Sequence, residues 1–262
     1  MPKLAITGKG GVGKTTLSSI LAQLYAAEGH TVLAIDADPD ANLGASLGIS
    51  AKELSTIIPI ARMEELIQER TGGTPGTIGG FFKLNPKVDD IPDRFAFNKD
   101  GVKLLVMGTV KKGGSGCICP ESALLKSLLN HLFLRANEIV IVDMEAGIEH
   151  LGRATAEAVD AFISVVEPGM RSLDTARVVK KLANDIGIKK CYVVGNKITS
   201  DADRQFIIDN LPEFEVLGFI SHNPQVIEAD RKGISPFDVA PQAVSEVKEI
   251  KEKLETASRK GK

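Results

Sequence analysis

Seven short runs of the chain are almost continuously apolar: 3–7, 31–36, 102–108, 138–143, 161–167, 190–196 and 215–220. Strands of that kind are buried on both faces. Between several of them the apolar positions recur at a helical period, as at Leu17, Ile20, Leu21 and Leu24, or at Leu124, Leu125, Leu128, Leu129 and Leu132 after Pro120. Alternation of such strands with helices predicts an α/β fold, a mostly parallel twisted sheet of about seven or more strands flanked by helices. Ligands of such sheets sit outside the carboxyl ends of the strands. The C-terminal stretch carries Val244, Val247, Ile250 and Leu254 in a narrow stripe, then Arg259, Lys260 and Lys262, which predicts a docking helix with a basic end. The pattern fails over 71–101, Gly- and Pro-rich in 71–80 and polar in 85–100, so an irregular, recognition-type loop is expected there.

Composition narrows the classes. With 262 residues and 43% hydrophobic content the chain can bury one large core, and we expect a single domain spanning 1–262. A net charge of −2, without basic clusters interleaved with aromatics, argues against nucleic acid as a partner. No run approaches the ~20 apolar residues of a membrane span. The start Met-Pro-Lys-Leu-Ala-Ile-Thr enters a strand at once, so a cytoplasmic protein without a membrane partner is expected. Three cysteines in such a chain point to metal or redox chemistry for any close pair.

After the first run, residues 8–16 read Gly-Lys-Gly-Gly-Val-Gly-Lys-Thr-Thr. Glycines allow backbone amides to turn toward phosphate oxygens, a lysine at Lys14 reaches the β/γ-phosphates, and a hydroxyl at Thr15 can ligate Mg2+. Gly8, Gly10 and Gly13 also satisfy a dinucleotide fingerprint, with Asp36 in place for a ribose. Lys14 and Thr15 decide against that rival, because a pyrophosphate held by amides needs neither. The expected ligand is a nucleoside triphosphate on Gly10, Gly11, Val12, Gly13, Lys14, Thr15 and Thr16 of a P-loop NTPase.

Asp143 ends the run 138–143, where a carboxylate can hold Mg2+ through water opposite Thr15, and Gly147 follows at a spacing that presents an amide to the γ-phosphate. Asp36, Asp38, Asp40 and Asn42 follow the second run, where carboxylates can orient water or simply cap a turn. The loop 113–120 holds Cys117 and Cys119, one residue apart, ahead of Pro120. Two thiolates so spaced are half of a four-sulfur site, suited to Zn2+ or Ni2+, and half a site suggests that a dimer completes it. A helix N-terminus beside them is expected to lower their pKa. Cys191 reads as strand core, and His30, His131 and His222 show no ligand spacing with each other.

With Lys9 in the loop, the Asp38-Pro39 pair and the strand-end Asp143, the chain resembles the deviant Walker A ATPases that include MinD, ParA, ArsA and the nitrogenase iron protein. That resemblance implies a homodimer sandwiching two ATP molecules. In it Lys9 crosses to the partner's phosphates, Asp38 polarises water and Asn196 reads the adenine edge. The stretches 79–89, 107–109, the Cys-x-Cys loop and 143–152 look like the CooC-type nickel ATPases and their AcsF-type relatives. This closer resemblance implies ATP-driven nickel delivery to a client, carbon monoxide dehydrogenase or acetyl-CoA synthase, and Cys117 and Cys119 as nickel ligands. Other members of the wider class imply different outputs. A positioning ATPase has no use for the cysteine loop. An iron-sulfur electron-transfer ATPase places one cysteine shortly after the strand-end aspartate, where this chain has none.

Overall fold

The computed structural model describes residues 1–76, 80–109, 119–134, 138–146 and 159–259. Its strands are β1 (Lys3–Thr7), β2 (Val32–Asp36), β3 (Phe97–Lys99), β4 (Val102–Val106), β5 (Ile139–Asp143), β6 (Ala161–Val166), β7 (Cys191–Ile198) and β8 (Glu215–Ser221). The helices are α1 (Lys14–Ala27), α2 (Leu43–Ser46), α3 (Ala51–Leu54), α4 (Glu64–Thr71), α5 (Ile91–Phe95) and α6 (Pro120–Leu134). They continue with α7 (Met170–Ile186), α8 (Asp201–Asn210), α9 (Pro224–Lys232), α10 (Pro236–Val239) and α11 (Pro241–Arg259).

The eight strands lie in the order β3-β4-β2-β5-β1-β6-β7-β8. All pairings are parallel except β3 with β4. Alternate residues of one strand serve opposite cores, as a period of two requires. Leu33 and Ile35 join Leu66, Leu124, Leu128 and Leu173 on one face, while Val32 and Ala34 join Leu17, Leu21, Val247 and Ile250 on the other. Both faces are covered, which is why the central strand sequences are mostly apolar.

The docking helix is α11, whose Val247, Ile250 and Leu254 are buried. Its Lys251 is also buried and pairs with Glu28 at 2.8 Å and Glu255 at 2.9 Å. The stretch 71–101 corrects the expectation of irregularity, because it contains α5 and the edge strand β3. Asp100 (φ 47°) and Gly101 (φ 83°) make a two-residue turn that folds Phe97–Lys99 back onto β4. Positive φ at both central residues is what such a hairpin needs, and Asp-Gly supplies it.

β1 lies between β5 and β6, so the chain passes to opposite sides of it and leaves a crevice at its carboxyl end. Register then fixes who meets there: Asp143 of β5 stands beside Ile6 of β1 and Asp36 of β2.

Candidate active site

The phosphate loop leaves β1 at Gly8 and enters α1 through Gly13, a left-handed cap at φ 96° with no side-chain hydrogen bond. The first-turn amides of α1 are therefore open to an anion, reinforced by the helix dipole. A Cβ on Gly13 would stand 2.0 Å from Asn196 Nδ2. Asn196 braces the loop from below, its Nδ2 donating to the Val12 carbonyl at 2.7 Å and its Oδ1 accepting from the Lys197 amide at 2.7 Å. It does not cap the next helix, a task taken by Ser200. Gly13→Ala is expected to cost at least about 1–2 kcal/mol through the left-handed backbone alone. It should also weaken ATP binding, because Asn196 must leave Val12. Denaturant unfolding and an ATP titration check this, and a variant equal to wild type in both would contradict it.

The charged groups cluster above the loop. Lys14 is buried, with Nζ 3.4 Å from Asp38 Oδ2. Thr15 Oγ1 donates to Asp143 Oδ2 at 2.7 Å, and among the described residues Asp143 Oδ1 is buried without a hydrogen-bond partner. Burial pushes the Asp143 carboxyl up to about 6, against the Thr15 hydroxyl and the Lys14 charge. Asp36 is pushed up to about 7, by burial first and also by nearby Asp143, against amide hydrogen bonds from Leu43 and Asp38. A free buried carboxylate oxygen beside a hydroxyl and a phosphate-type lysine fits a hard, oxygen-seeking cation, so Thr15 and Asp143 can hold Mg2+.

Asp36, expected with Asp38 and Asp40 as one of a cluster of carboxylates that orient water or cap a turn, organises the adjoining turn. Its Oδ2 accepts from the Leu43 amide at 2.9 Å and its Oδ1 from the Asp38 amide at 3.3 Å. Asp38 Oδ1 in turn accepts from the Asp40 amide at 3.0 Å.

A cavity of about 690 Å³ runs from Lys14, Asp38 and Glu145 to His222, Asn223, Ile227 and Pro236. That volume suits a nucleotide-sized ligand. The far wall was missed in the sequence, although Asn223 followed by Pro224 after an apolar run signals a helix start at a strand's carboxyl end. Asn223 indeed caps α9, its side chain accepting from the Gln225 amide. At the near end the Glu145 carbonyl accepts from Thr7 Oγ1 at 2.7 Å.

Lys9, Gly10 and Gly11 are exposed at the mouth, and Thr16 is half-buried. Gly147 and Cys117 lie outside the described residues, so their expected contacts are not on view. Cys119 is 2% exposed, directly before α6, and its Sγ lies 3.3 Å from Ser122 Oγ as a donor. Its thiol corrects the expectation of a lowered pKa. Burial pushes it up, Glu121 adds to the rise, and hydrogen bonding with Ser122 only partly opposes them. Desolvation therefore outweighs the helix terminus. Among the described residues no three His, Cys, Asp or Glu side chains gather into a metal-binding group. Cys191 is buried in β7, as core.

The model of the CobQ/CobB/MinD/ParA nucleotide binding domain matches residues 3–237. The carbon monoxide dehydrogenase accessory protein CooC of Rhodospirillum rubrum is 50% identical over 239 residues, covering 91% of this chain and 90% of that protein. An uncharacterized ATP-binding protein of Methanocaldococcus jannaschii is 45% identical over 251 residues, 95% of each chain. Among solved structures, the MinD cell division protein of Aquifex aeolicus superposes with a TM-score of 0.68 at 22% identity, over 98% of both chains. That likeness shows the shared fold. The chain therefore belongs to the CobQ/CobB/MinD/ParA nucleotide-binding family and is an ATPase of the CooC type.

Proposed function

We propose that this chain is a cytoplasmic, ATP-dependent nickel metallochaperone, active as a homodimer, that matures carbon monoxide dehydrogenase or its relative acetyl-CoA synthase. The observation that carries it is the link between the nucleotide site and the stem of the cysteine loop. The Asp36 carbonyl accepts from the Met107 amide at 2.8 Å, and the Met107 carbonyl accepts from the Ala61 amide at 2.9 Å. From Met107 the chain runs through Cys117 to Cys119 at the head of α6. A change at Asp36 and its turn is thus felt where the cysteine loop leaves the sheet. The named relative, an accessory protein for a carbon monoxide dehydrogenase, supports the client.

In this reading residues 10–16 bind the phosphates through amides, and Lys14 exchanges Asp38 for the β/γ-phosphates. Mg2+, when bound, neutralises phosphate charge, and Thr15 and Asp143 are the residues that would hold it. Asp38, released from Lys14, orients the attacking water, and Gly147 offers an amide to the γ-phosphate. Asn196 and the His222–Asn223 wall face the adenine end. Lys9 of each copy reaches the other copy's phosphates, and closure of the dimer alters the separation of the two cysteine loops. Linkage makes the coupling reciprocal: whatever factor ATP imposes on nickel affinity, nickel imposes on ATP affinity.

Anaerobic titration of the metal-free protein with Ni2+, read by thiolate charge-transfer absorption with molar mass at each point, tests the reading. One nickel per two chains is expected, appearing with dimer and lost in Cys119→Ala. No binding, or one nickel per chain indifferent to that substitution, would overturn it.

A further inference from the structure

Two non-glycine residues among those described have a positive φ. Asp100 is accounted for by its hairpin turn, and the other, Lys197 at φ 58°, lies inside strand β7. A left-handed backbone is costly for any residue with a Cβ, and such strain gathers where function holds it. At this point β7 slips against β8: the three steps from Gly195 to Ile198 match only the two from Phe219 to Ser221. That is a bulge, and where a bulge turns through a left-handed residue, glycine is the usual occupant. The charge of the lysine does not account for its place. Lys197 Nζ meets Glu167 Oε2 at 3.1 Å, but both side chains are partly exposed, and pairs of that kind contribute little.

The bulge stands between the two ends of the nucleotide cavity, which Lys197 itself lines. On one side the Lys197 amide donates to Asn196 Oδ1 at 2.7 Å, which leaves Asn196 Nδ2 aimed at the Val12 carbonyl of the phosphate loop, also 2.7 Å away. On the other side the Ile198 carbonyl accepts from the His222 amide at 2.8 Å, so the same bulge fixes the start of the far wall. We infer that Lys197 is a positioning residue for the nucleotide: its left-handed backbone sets the span between the phosphate loop and the wall that meets the base. The inference rests on the reading of His222 and Asn223 as that wall and is independent of any metal cargo.

The competing role for Lys197 is its ammonium, acting on the phosphates or through Glu167. Lys197→Gly and Lys197→Val both remove that charge. Glycine adopts a left-handed φ without strain and keeps an amide for Asn196, whereas a branched Cβ resists that conformation. The comparison of the two variants therefore reads the backbone with the charge held constant. The probes are MgATP and inorganic tripolyphosphate, which fills the phosphate loop without reaching the wall. Both are titrated calorimetrically into the full chain, with circular dichroism reporting the folded fraction.

Lys197→Gly is expected to bind ATP as wild type does. Lys197→Val should lose at least about fivefold in ATP affinity, the low end of the left-handed penalty, and less for tripolyphosphate. Equal ATP affinity in the two variants would overturn the inference, and if both were equally weakened the role would pass to the ammonium. Equal losses for ATP and tripolyphosphate in Lys197→Val would confine Lys197 to the loop and overturn the span. If Lys197→Val does not fold, Lys197→Thr, branched but polar, takes its place in the same comparison. Failure of both to fold beside a folded Lys197→Gly would assign the residue to the fold alone and overturn the inference. A wild-type chain that binds ATP no more tightly than tripolyphosphate would remove the wall reading as well, whereas failures confined to the variants leave that reading standing.

Discussion

Lys9→Gln is expected to lower steady-state ATP hydrolysis by roughly 10³- to 10⁵-fold, the range lost when a charge supplied across an interface to a transferring phosphoryl group is removed. ATP binding by a single chain should survive. In the proposed reading the phosphates are held within one chain by the amides at the head of α1 and the buried Lys14, and none of these depends on Lys9. Lys9 is exposed at the loop, with no ion pair among the described residues, so the substitution removes no visible folding interaction. Its exposure lets it meet a second molecule. The measurement is turnover against chain concentration, together with equilibrium ATP binding and molar mass in the presence of a slowly hydrolysed analogue. The variant should bind nucleotide, remain monomeric and fail to turn over. Turnover within tenfold of wild type would show that Lys9 acts only within its own chain, and the cross-chain arrangement would fall with it.

Most of the strand framework could be read from the chain because burial on both sheet faces forces an apolar code at nearly every position, as in Ile139–Asp143 and Ala161–Val166. The edge strand was not, since Phe97–Lys99 has only half-buried or exposed residues and lacks that code. Its signal lay instead in the Asp100-Gly101 dipeptide, a turn cue rather than a hydrophobic one. The same contrast holds at the candidate site. Lys14, Thr15 and Asp143 were legible because the phosphate loop fixes its chemistry within a few residues and a strand end supplies the carboxylate.

Asp36 was legible as one carboxylate of its cluster, but its bracing of the turn was not, since its partners Leu43 and Met107 are set by the turn and the sheet rather than by spacing. His222 and Asn223 join the cavity from about 210 residues away, through strand order that only the fold supplies. The thiol of Cys119 misled because two effects of opposite sign act on it, and the sequence displays the helix terminus without the burial.

Asp38→Asn is expected to separate binding from chemistry. In this structure Asp38 Oδ2 and Lys14 Nζ lie 3.4 Å apart, and both side chains are largely buried. An incoming triphosphate competes with Asp38 for Lys14 and brings negative charge toward an existing one. Removing the Asp38 charge relieves both costs, so ATP affinity should be retained or rise. The asparagine is nearly isosteric and keeps an oxygen that can accept from the Asp40 amide, so the turn that Asp36 holds through Leu43 should persist. Water activation is different. A carboxylate can accept hydrogen bonds from the attacking water at both oxygens and take up its proton as the bond to phosphorus forms, whereas an amide can do neither fully. Loss of a positioned base costs about 10²- to 10⁴-fold. A drop of that size in kcat, with ATP affinity unchanged or tighter, is the expected result. Equal losses in affinity and kcat would assign Asp38 to the folding of its turn, and an unchanged kcat would move the task of orienting water to another residue.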